Sequence, residues 1–304
     1  MDMDLIAESS SNKSTNVRPK KPKVPAQLLA LRAGLGVLGT LAPSGAAAIA
    51  EHLFLSPKRH QRPATELEVL ATGRHLLVPS PDGPLASWEW GHEGPRVLLV
   101  HGWEGRGAQL GSLVGPLAAQ GFRVVTFDAP AHGNSPGTEA SIVHFARAIH
   151  AVATAYGPLE AIITHSMGGA STAWAFKDRP LAKRLVMICP PIDVRDFTRQ
   201  LSATLSLSDT VREAVEARLT RRLGVAVADL RVETLAKNMQ TPLLLIHDEG
   251  DREVSIRCSE LIAGSWPGAT LMRTQGLGHR RILRDPLVLD AAVGFITNPI
   301  AKGA

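Results

Sequence analysis

Residues 161–170 read AIITHSMGGA. Ala161–Thr164 is a short apolar run of the kind that forms a buried strand, and it gives way at once to His165 and Ser166. Met167, Gly168 and Gly169 then open a helix-like stretch. A strand that turns directly into a helix places the intervening serine at the tip of a tight turn, with its hydroxyl exposed. The usual pattern for such a turn is G-x-S-x-G, and here Thr164 stands in place of the first glycine. Small residues are needed there because side chains would collide with the neighbouring strand and helix. Gly168 and Gly169 meet that need downstream. Thr164 meets it only in part, since its branched Cβ suits a strand but adds bulk. Taken alone, the stretch fits an activated nucleophile and a plain strand-end serine equally well.

The surrounding pattern is more decisive. A hairpin is predicted over HLLVPSPDGPLASWEWG (75–91), turning at Pro81-Asp82-Gly83. Short apolar runs then alternate with helix-like stretches: 96–101, 122–127, 161–164, 184–189, 242–247 and 269–273. Nearly continuous apolar runs of this length, separated by helices, indicate parallel strands covered on both faces. The predicted fold class is α/β, a mostly parallel sheet with helices on both faces and an antiparallel hairpin at its start. Between Pro190 and Thr241 no strand pattern occurs, and VRDFTRQLSATLSL and SDTVREAVEARLTRRLG both read as amphipathic helices. Ser208 or Asp209 caps the second and Gly224 ends it. This insertion, about 191–240, follows a strand on the side where open α/β sheets bind ligands, which suggests a small helical lid. A last helix near Leu287–Ile296 closes a body running from 75 to 299.

The net charge of +5 is unevenly placed: residues 1–62 hold nine Lys/Arg against four acids, leaving 24 of each from 63 onward. A balanced body with one tyrosine lacks the basic, aromatic face of a nucleic-acid-binding protein. Residues 1–25, rich in Ser, Lys and Pro, read as a disordered basic tail. Residues 26–74 form an N-terminal helical segment whose stretch from Ala33 to Ala50 carries no charge. Three readings stay open for it: short helices docked on the body with a break at Pro43, a membrane-associated segment through 26–54, or a cleaved signal. The two cysteines, Cys189 and Cys258, match no ligand or redox spacing and read as plain thiols. A fold independent of disulfides fits a reducing, cytoplasmic compartment. With no H-x-x-x-H or H-E-x-x-H pair, no P-loop and no dinucleotide fingerprint, neither metal nor cofactor is implied.

Polar punctuation falls at the predicted strand ends. HGW occupies 101–103, DAPAHGNS 128–135, HSMGG 165–169, HDEGDREV 247–254 and GLGHRRI 276–282. This set, in this order, resembles the α/β-hydrolase family over roughly residues 75–299, in its serine-nucleophile branch, including members whose substrates are not known. The resemblance implies the α/β-hydrolase fold and a catalytic triad of Ser166, Asp251 and His279. It also implies an oxyanion hole made by the backbone N–H groups of Trp103 and Met167. The chemistry agrees independently: a serine hydroxyl needs a base to remove its proton, and the base needs a third group to fix its tautomer. Ser…Asp…His is the chain order expected for this fold. Asp248 and Glu249 compete with Asp251, which fits the pattern better, four residues past His247 and three before Val254. His101 and His132 read as loop-stabilising, with His101 and His165 as pocket candidates.

A serine at the turn favours acyl transfer over epoxide or halide chemistry. The leading expectation is a carboxylesterase-like serine hydrolase acting on a small carboxylic ester or thioester through an acyl-enzyme. An acyltransferase using the same triad stays open, as does a catalytically idle hydrolase fold used for binding. In the insertion, Val194, Phe197, Leu201 and Leu205 recur at helical spacing, and packing onto the body is the first reading of that face.

Overall fold

The computed structural model of the chain describes residues 25–298. The expected basic tail lies, but for Pro25, outside the described residues. Three helices come first: α1 (Ala26–Leu41), α2 (Pro43–Leu55) and α3 (Ala64–Ala71). Pro43 separates the first two, because proline cannot continue a helix but fits a first helical position.

Eight strands form one sheet: β1 (Arg74–Val78), β2 (Leu85–Trp90), β3 (Arg96–Val100), β4 (Arg123–Phe127), β5 (Leu159–His165), β6 (Ala182–Ile188), β7 (Leu243–Asp248) and β8 (Thr270–Thr274). Their spatial order is β1-β2-β4-β3-β5-β6-β7-β8. β1 and β2 are antiparallel to their neighbours, and the pairings from β4 through β3 to β8 are parallel. The expected α/β class and the opening hairpin are therefore both present. The apolar runs are continuous because alternate residues feed two cores. Leu98, Val100, Ile162 and Met187 pack on one face, and Val97, Leu99, Ile163 and Val186 on the other.

Helices cover both faces. α4 (Val114–Ala119) precedes β4, α5 (Ile142–Tyr156) precedes β5, and α6 (Met167–Ala175) follows it. Phe145 and Ile149 of α5 and Ala170 and Ala173 of α6 fill the first core. Past β6 come α7 (Val194–Leu205), α8 (Asp209–Leu223) and the short α9 (Val232–Ala236). The Ser208 hydroxyl accepts the Val211 N–H to cap α8, and Gly224 ends it at φ 69°. On α7, Val194 and Leu205 are buried while Phe197 and Leu201 are half-buried, so that face packs largely on the protein. α10 (Arg257–Ser265), the single turn α11 (Gly278–Arg281) and α12 (Pro286–Thr297) are the last helices among the described residues, with Val288, Ala292 and Ile296 of α12 in the second core.

α2 packs on α8 through Ala46, Ala47 and Ala50 against Val211 and Val215, and Glu51 pairs with Arg218 at 2.7 Å. Among the described residues no helix is long and apolar enough to cross a membrane.

The switch in strand order lies at β3, from which the chain proceeds to β4 on one side and β5 on the other. Open α/β sheets form their ligand crevices at the C-terminal strand ends beside such a point. The backbone there is strained. Among the described residues, four of the five non-glycine residues with positive φ lie in the turns that follow β3 to β6: Glu104 (53°), Ala131 (63°), Ser166 (52°) and Cys189 (50°). Such conformations persist only where surrounding structure over-determines them, and they cluster at functional sites.

Candidate active site

Ser166 joins β5 to α6 with φ 52° and ψ −126°. Two close approaches make that turn feasible. A Cβ on Gly102 would lie 2.8 Å from Ser166 Cβ, and one on Gly168 would lie 2.6 Å from the His101 carbonyl oxygen. Only glycine fits at either place. Thr164, the departure from the usual pattern, is fully buried, and its hydroxyl donates to the Val186 carbonyl at 3.1 Å. A Cβ on Gly169 would come 3.3 Å from that hydroxyl oxygen. The bulk added upstream is thus accommodated by a glycine on the facing turn of α6, and the serine keeps its place.

His279 lies on α11, past β8, and its Nδ1 is 2.7 Å from Asp251 Oδ2. An ionised carboxylate can only accept, so Nδ1 carries the proton and Nε2 is left with its lone pair free. The ring is also held from the serine side. His165 Nε2 donates to the His279 carbonyl at 2.9 Å, and the two ring centroids are 4.6 Å apart. No hydrogen bond joins Ser166 to His279 in this structure. Such bonds commonly tighten only when substrate is bound.

Asp251 sits in a dense set of donors. Its Oδ1 accepts the Glu253 and Val254 N–H groups at 2.8 and 3.0 Å. Its Oδ2 takes His279 and faces His247 Nε2 at 3.5 Å. Burial disfavours its charge, but the bonds from His247, His279 and Val254 outweigh that and hold the carboxyl well below the usual carboxylate range. Asp248 is occupied elsewhere, accepting from Gly250 N, Thr274 Oγ1 and Leu277 N. Those bonds pin the β7 and β8 loops to each other, and the Asp248 carboxylate accepts no bond from a histidine.

His247 was not singled out by the sequence, because a lone histidine at a strand end carries no pattern. It is fully buried, with Nδ1 2.7 Å from Ser259 Oγ and Nε2 3.0 Å from the Val254 carbonyl. That carbonyl can only accept, so Nε2 bears a proton, which also faces Asp251. Cys189, His247 and Asp251 place donor atoms within 4.8 Å of one another. They do not suit a metal: burial, then the charge of Asp251, pushes the Cys189 thiol far up, and both His247 nitrogens are engaged.

Two loops converge beside Ser166. The N–H of Met167 is the first of α6 and has no preceding turn to accept its bond. Trp103 lies in the loop after β3, half-buried, and its N–H takes no part in the backbone bonding of that loop. Both N–H groups are thereby left for another acceptor. His101 Nε2 accepts the Ala129 N–H at 3.0 Å, and His132 Nε2 accepts the Glu104 N–H at 3.0 Å, tying the β3 and β4 loops together. Both roles need bare nitrogens. Burial supplies that condition, pushing His101 down to about 4 and His132 to about 3. Burial likewise pushes His165 down to about 3. His101 is completely buried behind the loop, whereas His165 lies directly against His279.

A further layer comes from the segment linking α2 to α3 and from the first turn of α3. Arg62 pairs with the buried Asp128, whose other oxygen accepts the Gly107 N–H at 2.9 Å. Glu66 pairs with Arg106 in two bonds, and Glu104 accepts the Lys58 N–H at 3.1 Å. Arg59 donates to the carbonyls of Ser135 and Gly137 at 2.7 and 3.1 Å. The segment therefore straps the loops after β3 and β4.

Comparisons with known proteins agree with this fold. Residues 97–292 match the model of the Alpha/beta hydrolase family. A curated pyrethroid hydrolase of Sphingobium wenxiniae is 31% identical over 87 residues, 28% of this chain, and the match spans 31% of that protein's length. An esterase of Pyrococcus furiosus superposes with a TM-score of 0.61 at 18% identity, covering 80% of this chain and 98% of its own. A monoacylglycerol lipase of Paleococcus ferrophilus does so with 0.56 at 23%, covering 70% and 98%. A thioesterase domain from the curacin biosynthetic pathway gives 0.56 at 21%, covering 74% and 99%. The structural matches speak for the fold, and the family match runs from β3 into α12 over well over half of the chain. The chain belongs to the alpha/beta hydrolase family.

Proposed function

We propose that this protein is a serine hydrolase that cleaves a small carboxylic ester or thioester through an acyl-enzyme on Ser166. The observation that carries the reading is the 2.7 Å bond from His279 Nδ1 to Asp251, beside a strained serine turn. It fixes the tautomer in which Nε2 can take a proton.

In the first step Ser166 Oγ attacks the carbonyl carbon while its proton passes to His279 Nε2. Asp251 stabilises the imidazolium so formed and is not itself protonated. The carbonyl oxygen becomes an oxyanion, received by the N–H groups of Trp103 and Met167; losing one such donor typically costs about 2.7–4 kcal/mol. The intermediate collapses, the alcohol or thiol leaves with the proton from His279, and the acyl group stays on Oγ. Water then repeats the sequence, giving its proton to His279, and release of the acid restores the serine. Esterase, lipase and thioesterase relatives by fold support this reaction class.

The test is steady-state hydrolysis of p-nitrophenyl esters of increasing acyl length by wild type and Ser166→Ala. The expected result is turnover by wild type that Ser166→Ala loses by at least about a thousandfold. Equal turnover by both proteins would overturn the assignment.

A further inference from the structure

Helix α1 is apolar on both sides, unlike an ordinary surface helix. Its inward side is Leu35, fully buried, with Gly39 so close to α8 that a Cβ there would lie 3.2 Å from Val211. Residues four apart share a helix face. On the opposite side Leu29, Ala33, Val37 and Leu41 form one exposed stripe, with Leu29 at 52%, Val37 at 62% and Leu41 at 80% exposure. α2 adds Ile49 and Leu53, also four apart and exposed at 42% and 39%. The outward face of a solvated helix normally carries charge. None is available here, because the chain from Ala33 to Ala50 has no charged residue. The one cation of α1, Arg32, is turned to the protein, its Nε donating to the Thr204 carbonyl at 2.7 Å.

We propose that this face docks on an anionic lipid surface. The covering partner is identified by charge. No acid occurs between Glu8 and Glu51, while Lys13, Arg18, Lys20, Lys21 and Lys23 immediately precede the helix. An apolar helix face lying in the interface plane, next to a cluster of cations, is the combination that binds anionic bilayers. A protein partner would need acidic groups in that register, and a second copy of this chain would bring its own cations against them. The helix is too short to span, so it lies on the surface. This proposal is independent of the hydrolase reading, and its test does not use activity.

The full chain is sedimented with vesicles of phosphatidylcholine alone and of phosphatidylcholine with phosphatidylglycerol. It is expected to pellet with the second and stay largely in solution with the first. Val37→Glu with Leu41→Glu should abolish pelleting while leaving Tm unchanged, since both side chains already face water. Lys20→Gln with Lys21→Gln and Lys23→Gln should weaken binding on the order of a hundredfold, at about a fivefold loss per cation. Failure of the full chain to bind anionic vesicles would overturn the proposal. So would unchanged binding by the double glutamate variant, or a stable dimer that this variant dissociates.

Discussion

At the scale of single residues, the turn at Ser166 depends on what its neighbours leave out. Gly102 and Gly168 allow contacts that no side chain could make, and Gly169 leaves room for Thr164. Thr164→Gly should therefore leave kcat within a few-fold while lowering stability by about 1–3 kcal/mol, through loss of the bond to Val186 and of strand propensity. Chemical denaturation and ester kinetics check both halves, and an inactive variant would mean that the threonine touches substrate. Asp251→Asn keeps the side-chain shape but can no longer hold the imidazolium, and it can bond the wrong His279 tautomer. The expectation is a kcat about 10⁴-fold lower with KM little changed, measured at neutral pH. In the sequence, the preference for Asp251 over Asp248 rests on the resemblance to the family's pattern. The physical reason appears only in three dimensions, where backbone and hydroxyl donors occupy Asp248. His247 was not legible, since its support of Asp251 depends on Ser259 and Val254 closing round it.

Among elements, the strands were readable because burial on both faces makes each an apolar run, and the helices after β6 because their caps are local. Ser208 and Gly224 act within a few residues of the ends they define. The strap between α2 and α3 gives no such signal. Arg62 and Asp128, or Glu66 and Arg106, are distant in sequence, so the cations of 58–62 read from sequence only as part of a charge excess. In the fold Arg59 and Arg62 are committed to the loops that flank Ser166. Arg62→Ala should leave Asp128 buried without its cation and cost about 3–5 kcal/mol. Because Asp128 also holds the Gly107 N–H, the β3 loop should loosen and kcat should fall along with Tm. A variant with lowered Tm and unchanged kcat would limit the strap to a stabilising role.

For the whole molecule, the histidines set the response to acid. Burial lowers His101 to about 4 and His132 and His165 to about 3, against an ordinary value near 6.5. Below pH 6.5 the unfolded chain takes up protons at these positions and the folded one does not, so stability falls as pH falls, down to the folded values. Each histidine contributes up to about 1.4 kcal/mol per pH unit across that window. Asp251, held below its ordinary range, adds a further loss only below about pH 4. Melting curves should therefore decline steadily from pH 6.5 toward 4, and a Tm flat over that interval would contradict the buried neutral histidines. The claim to which all three scales contribute is that Ser166 is activated. Its most direct measurement is intact-mass and peptide analysis after treatment with a fluorophosphonate. A single adduct on Ser166 is expected, absent in Ser166→Ala and slow to form in Asp251→Asn. No adduct on the wild-type chain, or one on a different serine, would contradict it.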